Sequence, residues 1–197
     1  MPLNRVDLVI EAAVEKLELK QKIFRQLEAR TDAHTVLATN TSALSIDAIA
    51  SGLADPGRVV GIHFFNPVHR MQLVEIVRGP RTSPAALDTA LQFVKAIGKL
   101  PVLVKDSPGF LVNRILLPYM VESVRLFNEG CGVRQLDKLM LDFGMPMGPL
   151  RLSDEVGLDV AQHVAADLQN RLPKPVPLND TVEKMIARGW LGKKSGT

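Results

Sequence analysis

His63 and Glu75 are the residues whose types and surroundings are best suited to chemistry in this sequence. His63 lies near the end of the β-branched run Val59–Phe64, and Glu75 lies in the next apolar run, Leu73–Val77. A strand that ends on a histidine presents it at the carboxyl edge of a sheet, where doubly wound folds bind ligands. A carboxylate fixes the tautomer of an imidazole and stabilises its charged form, so the pair could serve as a general base for alcohol oxidation. A structural histidine is the alternative that residue type alone leaves open.

Short strand-like runs alternate with helical patterns in the first half of the chain, which indicates parallel strands joined by right-handed crossovers. Together they predict a doubly wound parallel sheet, with Ser45 as the cap of a short helix. The predicted strands are Val6–Ile10, Val36–Thr39, Val59–Phe64, Leu73–Val77 and Val102–Val104, and the predicted helices are Leu17–Ala29, Ser45–Ala50 and Ser83–Gly98.

The first predicted helix, Leu17–Ala29, is amphipathic. Its apolar positions recur at helical spacing and should face the sheet. Charged side chains occupy the other positions, so we expect them to face solvent: Lys20, Lys22, Arg25 and Glu28.

Strand signals end after Lys105, and the rest of the chain is predicted to be helical. We therefore expect two domains, 1–105 and 106–197. The predicted helices of the second domain are Phe110–Asn128, Gln135–Phe143, Leu158–Leu172 and Thr181–Arg188.

Composition argues against several classes of protein. The 24 basic and 21 acidic side chains are scattered, so the sequence does not predict a nucleic-acid surface. Its apolar runs are far shorter than the ~20 residues that cross a bilayer. The single cysteine, Cys131, cannot form an internal disulfide, and we expect a cytoplasmic setting. The remaining histidines lack metal-ligand spacing, so no metal is expected.

Five segments resemble the 3-hydroxyacyl-CoA dehydrogenase family. Three carry the resemblance: Asn40–Leu44, His63–Pro67 and Asp106–Arg114. Gly144–Pro149 and Asp154–Asp159 look most like the dehydrogenase part of multifunctional fatty-acid oxidation enzymes. The resemblance covers nearly the whole chain. It implies an incomplete Rossmann-like sheet followed by an all-helical C-terminal domain.

The resemblance also implies a reaction, the NAD-dependent oxidation of a 3-hydroxyacyl-CoA to a 3-ketoacyl-CoA in fatty-acid β-oxidation. His63 would take the proton of the 3-hydroxyl, and Glu75 would orient His63. The substrate would be bound by Ser42, Asn66 and Asn113.

For the cofactor, NAD, the resemblance implies contacts from Glu15 and Lys20 to the nicotinamide-side ribose. Asn40, Ser42 and Asn66 would also lie at the cofactor. Without the family, Glu15 and Lys20 read as ordinary charges at the start and on the solvent face of a helix.

One family feature is missing from this sequence. No glycine precedes Gly52, whereas dinucleotide binding needs a glycine-rich turn after the first strand. We therefore expect that the chain lacks the first β-α-β part of the domain, and that its first strand has an unpaired edge. Gly189–Thr197 resembles a family segment that normally continues.

Two alternatives to the dehydrogenase remain open. The chain could be a catalytically inactive fragment that serves as an acyl-binding or dimerisation module through Asp106–Arg188. It could also be a dehydrogenase of another hydroxy acid, although His63–Pro67 argues against this. The helical part is expected to form a homodimer or to pack against other domains of a multifunctional enzyme.

Overall fold

The computed structural model describes residues 3, 5–174 and 176–196. The chain divides into two compact units, Met1–Leu111 and Val112–Thr197. The first unit contains a five-stranded sheet, and its strands are β1 (Leu8–Glu11), β2 (Val36–Thr39), β3 (Val59–Phe64), β4 (Leu73–Arg78) and β5 (Leu100–Lys105). Its helices are α1 (Leu17–Glu28), α2 (Ile46–Ala50) and α3 (Pro84–Ala96), with a 3₁₀ turn at Pro56–Arg58.

The sheet has the order β1-β2-β3-β4-β5. β1, β2 and β3 run parallel, as do β4 and β5, but β3 and β4 are antiparallel. The sequence prediction of an all-parallel sheet was wrong for this pair. Only residues 65–72 connect β3 to β4, and a parallel crossover needs a dozen residues or more. The short connection therefore forces the chain to turn back.

Helices cover both faces of the sheet, which makes this unit doubly wound as predicted. On one face, Phe24 of α1 and Ile49 of α2 pack with the strand residues Leu37 and Val59. On the other face, α3 packs its apolar side against alternate residues of the same strands. The central strands β2, β3 and β4 are buried on both sides, which explains their continuous apolar character. The predicted cap is confirmed, since the Ser45 side chain accepts a hydrogen bond from Ala48 N.

The second unit is helical, as predicted. Its helices are α4 (Val112–Asn128), α5 (Val133–Phe143), α6 (Pro149–Val156), α7 (Leu158–Arg171) and α8 (Thr181–Ala187), followed by a 3₁₀ turn at Lys193–Ser195. The sequence did not predict α6. Its N-terminus is capped from a distance: Asp137 accepts hydrogen bonds from Leu150 N at 2.9 Å and Arg151 N at 3.1 Å. Because the capping residue belongs to another helix, the sequence next to α6 carries no capping signal that would predict its start.

None of the helices in the described ranges combines the length and the apolar character needed to cross a bilayer.

Candidate active site

His63 and Glu75 face each other across the β3–β4 hairpin. The antiparallel register pairs them directly, so their side chains leave the same face of the sheet. His63 Nδ1 lies 2.8 Å from Glu75 Oε2, and both side chains are buried, with residue exposures of 4% and 0%. A carboxylate can only accept, so Nδ1 is the donor of this hydrogen bond. The predicted hydrogen bond is therefore present.

Two aromatic rings and a backbone amide also contact this pair. Glu75 Oε1 accepts a hydrogen bond from Leu111 N at 3.0 Å. The Phe65 ring is tilted against the imidazole, with centroids 4.6 Å apart, and the Phe110 ring meets it edge-on at 5.7 Å. The sequence did not predict these roles for Phe65 and Phe110, although both belong to segments that carry the family resemblance.

Asn40 joins the ends of β2 and β3. Its side-chain oxygen accepts a hydrogen bond from Phe64 N at 2.9 Å, and its backbone N–H donates to Glu11 O. These contacts hold the carboxyl ends of three parallel strands together. His63 therefore lies at an edge of the sheet where hydrogen bonds fix the positions of the strand ends.

Glu15 binds the turn that follows β2. Its Oε1 accepts hydrogen bonds from the Thr41 hydroxyl, from Ser42 N at 2.9 Å and from Ala43 N at 3.1 Å. Burial alone would raise the pKa of Glu15. The hydrogen bonds from Thr41 and Ser42 and the charge of Lys20 outweigh burial, so the pKa lies below its ordinary value. Glu15 is therefore held as an anion at neutral pH.

Lys20 does not face solvent, so that prediction was wrong. It is fully buried, and its Nζ lies 2.8 Å from Glu11 Oε1 and 3.5 Å from Glu15 Oε2. The Thr39 hydroxyl also donates a hydrogen bond to Glu11 Oε2, at 2.8 Å. The buried carboxylate at the end of β1 draws the ammonium inward, because a buried charge needs a partner. Helical spacing could not reveal this partner.

The other predicted site residues are spread over three elements. Ser42 is an exposed residue of the turn after β2, and Asn66 is exposed two residues beyond the end of β3. Asn113 lies in the first turn of α4, in the second unit. Within the first unit, the structure thus joins His63 to Glu75 and Glu15 to Ser42. Among the residues that the structure describes, no group of three His, Cys, Asp or Glu side chains could hold a metal ion.

Two family profiles match the chain. One, described as "3-hydroxyacyl-CoA dehydrogenase, NAD binding domain", matches residues 2–107. The other, described as "3-hydroxyacyl-CoA dehydrogenase, C-terminal domain", matches residues 109–197. Together they cover both units of the structure.

Individual proteins agree with these profiles. The chain is 42% identical to the Homo sapiens "Hydroxyacyl-coenzyme A dehydrogenase, mitochondrial", over 98% of this chain and 63% of that protein. It is 44% identical to the "Fatty acid oxidation complex subunit alpha" of Idiomarina loihiensis, over 98% of this chain and 27% of that protein. It thus spans less than two thirds of these curated relatives.

A solved structure extends the likeness to the fold. The (S)-3-hydroxybutyryl-CoA dehydrogenase PaaH1 from Ralstonia eutropha superposes with a TM-score of 0.92 at 39% identity, over 98% of this chain and 70% of that one. The profiles, the relatives and the structure agree with the resemblance read from the motifs. The chain belongs to the 3-hydroxyacyl-CoA dehydrogenase family.

Proposed function

We propose that this chain carries the catalytic base of an NAD-dependent oxidation of a 3-hydroxyacyl-CoA to a 3-ketoacyl-CoA in fatty-acid β-oxidation. The buried pair of His63 and Glu75 is the observation that carries the proposal. A histidine bonded through Nδ1 to a carboxylate keeps Nε2 free to accept a proton. The names of the relatives support this chemistry, and the pair supplies the group that it needs.

The proposed reaction removes one proton and one hydride from the substrate. His63 Nε2 takes the proton of the 3-hydroxyl while the hydride leaves the same carbon, so that the alcohol becomes a ketone. When bound, NAD supplies the hydride acceptor. Glu75 stabilises the imidazolium that forms and holds the ring in place. Phe65 and Phe110 restrict the access of water to the imidazole.

The residues of this chain fit the nicotinamide side of the cofactor. Asn40, Ser42 and Asn66 follow the carboxyl ends of β2 and β3, which is where nucleotides bind in such sheets. We propose that Glu15 and Lys20 act near the same ribose. The glycine-rich turn for the pyrophosphate has no counterpart in residues 1–51, so those contacts are proposed to come from a segment outside this sequence.

Strand β1 offers a place for such a segment. It stands at one end of the sheet among the strands that the structure describes. Beside it is a cavity of about 590 Å³, lined by Arg5, Val6, Asp7, Leu8 and Ile10 and by the α3 residues Thr89, Gln92, Phe93 and Ala96. An edge strand next to such a cavity suits an added parallel strand.

For the substrate, we propose contacts from Ser42, Asn66 and Asn113. Hydroxyl and amide groups can donate hydrogen bonds to an oxygen on which charge develops. The alternative, a catalytically inactive acyl-binding or dimerisation module, is supported by the missing glycine-rich turn. The cytoplasmic setting also stays a prediction, since one relative is named as mitochondrial.

Calorimetry of NAD binding to the 197-residue chain distinguishes the dehydrogenase from the inactive module. Micromolar binding, followed by NADH formation that His63→Ala abolishes, would support the dehydrogenase. If NAD binds only after a glycine-rich β-α-β segment is supplied, the enzyme needs that segment. A chain that binds no NAD in either form would favour the inactive module.

A further inference from the structure

The Thr41–Leu44 turn is built around two side-chain oxygens. Glu15 Oε1 accepts from the Thr41 hydroxyl and from the backbone N–H groups of Ser42 and Ala43. The Thr41 oxygen in turn accepts from Leu44 N at 2.9 Å. Since Thr41 is fully buried, its hydroxyl needs these partners. The shape of the turn therefore depends on a carboxylate from a distant part of the sequence.

The register of the sheet brings this carboxylate to the turn. Glu11 and Thr39 are paired in the parallel strands β1 and β2, so the segments that follow them leave at the same edge. Glu15 comes shortly after the end of β1, and the turn comes shortly after the end of β2. A one-residue slip of either strand would separate them.

Lys20 anchors Glu15 on its other side. Its ammonium lies 3.5 Å from Glu15 Oε2 and is fixed by Glu11 at 2.8 Å. It also donates to Ala13 O at 3.1 Å. A buried ammonium with three such neighbours has little freedom to move, because any displacement leaves a buried charge unpaired.

We infer that Glu15 is a positioning residue, which sets the backbone of the Thr41–Leu44 turn and thereby the direction of the Ser42 side chain. This goes beyond a contact with the cofactor, because Oε1 already accepts three hydrogen bonds and Oε2 faces Lys20. The inference rests on the proposed function only in that Ser42 contacts the substrate. The structural part of the inference, that Glu15 shapes the turn, depends only on the hydrogen bonds and the ion pair described above.

Amide hydrogen exchange and NMR shifts of the 197-residue chain test the structural part. Glu15→Ala should speed exchange at Ser42 and Ala43 by roughly tenfold or more. Glu15→Gln keeps an oxygen acceptor and should restore most of the protection. Glu18→Ala, which changes an exposed glutamate in the first turn of α1, should change neither amide. Unchanged exchange and shifts in Glu15→Ala would overturn the inference.

A pH titration covers the case in which Glu15→Ala fails to fold. As Glu15 is protonated in the unaltered chain, the Ser42 and Ala43 amide resonances should move together, and in Glu15→Gln they should not. Resonances that do not respond in the unaltered chain would also overturn the inference.

A double-mutant cycle then tests the link to the substrate. Binding of 3-hydroxybutyryl-CoA should weaken on the order of tenfold in Glu15→Ala and in Ser42→Ala. The double variant should bind no more weakly than Ser42→Ala. Additive losses would show that Glu15 does not act through Ser42. If the unaltered chain binds no 3-hydroxyacyl-CoA, the proposed function fails for this chain, while the exchange data still decide the role of Glu15.

Discussion

Glu75 uses its two carboxylate oxygens for different purposes. One bonds the His63 imidazole at 2.8 Å, and the other bonds Leu111 N at 3.0 Å. The same side chain therefore holds the base and fixes the backbone just before α4. Since Glu75 is fully buried, its charge depends on such bonds.

Glu75→Gln tests whether the carboxylate orients the imidazole of His63. Glu75→Gln is nearly isosteric, but its amide can present an N–H to Nδ1 and so favour the wrong tautomer of His63. We expect NADH formation to fall on the order of 10²–10⁴-fold while the circular dichroism spectrum is kept. Glu129→Gln, an exposed change, is the control. A Glu75→Gln enzyme with normal turnover would rule out an orienting role for Glu75.

Phe110 combines burial with an unusual backbone. It is 3% exposed, its φ is 49°, and it lies in one of the two core clusters. Phe110→Ala should lower the free energy of unfolding by about 3–5 kcal/mol, as measured by urea denaturation. Leu100→Ala removes a side chain that is 61% exposed and should cost less than about 0.5 kcal/mol. Equal losses for both variants would argue against the packing described around His63.

Glu15 should make stability depend on pH in a defined direction. Its pKa in the folded chain is lowered from the ordinary 4.5, so its contribution is fully present above that value. The contribution is lost as the pH falls through the lowered pKa. The difference in unfolding free energy between the unaltered chain and Glu15→Gln should therefore shrink on acidification. A difference that is constant across this range would contradict the shift.

At the scale of elements, the pair of Glu11 and Lys20 ties β1 to α1. Lys20→Met would leave Glu11 buried without its ion-pair partner, and we expect a loss of about 3–5 kcal/mol in unfolding free energy. The double variant Lys20→Met with Glu11→Leu should lose less, because no charge is then stranded. Lys22→Met, on the exposed side of α1, should have little effect. A double variant that is less stable than Lys20→Met would contradict the ion-pair account.

The sequence predicted most elements because each carries a local signal. Buried strands such as Val59–Phe64 show continuous β-branched runs, and Ser45 marks the start of its helix. Three features are not set by the local pattern of the segments concerned. The direction of β4, the burial of Lys20 and the cap of α6 are set by a short connection, by Glu11 and by Asp137 respectively. Most site residues could be predicted because they belong to sequence motifs. The contact of Phe110 with His63 could not, because the fold brings the two rings together.

At the scale of the whole molecule, the helical unit exposes an apolar surface on α5. Leu139 and Phe143, one helical turn apart, are both exposed, by 56% and 80%. We propose that a second copy covers this surface, since isolated patches of this kind often mark interfaces. Light scattering after gel filtration should give a dimer, and Phe143→Glu should shift it to the monomer. An unaltered chain that is monomeric at high concentration would contradict the dimer.

NADH formation by the unaltered chain and by His63→Gln shows whether His63 is the catalytic base. Both would be assayed with 3-hydroxybutyryl-CoA and NAD, with a glycine-rich β-α-β segment of the family supplied. We expect NADH and a 3-ketoacyl-CoA from the unaltered chain, and a rate on the order of 10²–10⁴-fold lower from His63→Gln. Equal rates from the two proteins would show that His63 is not the base.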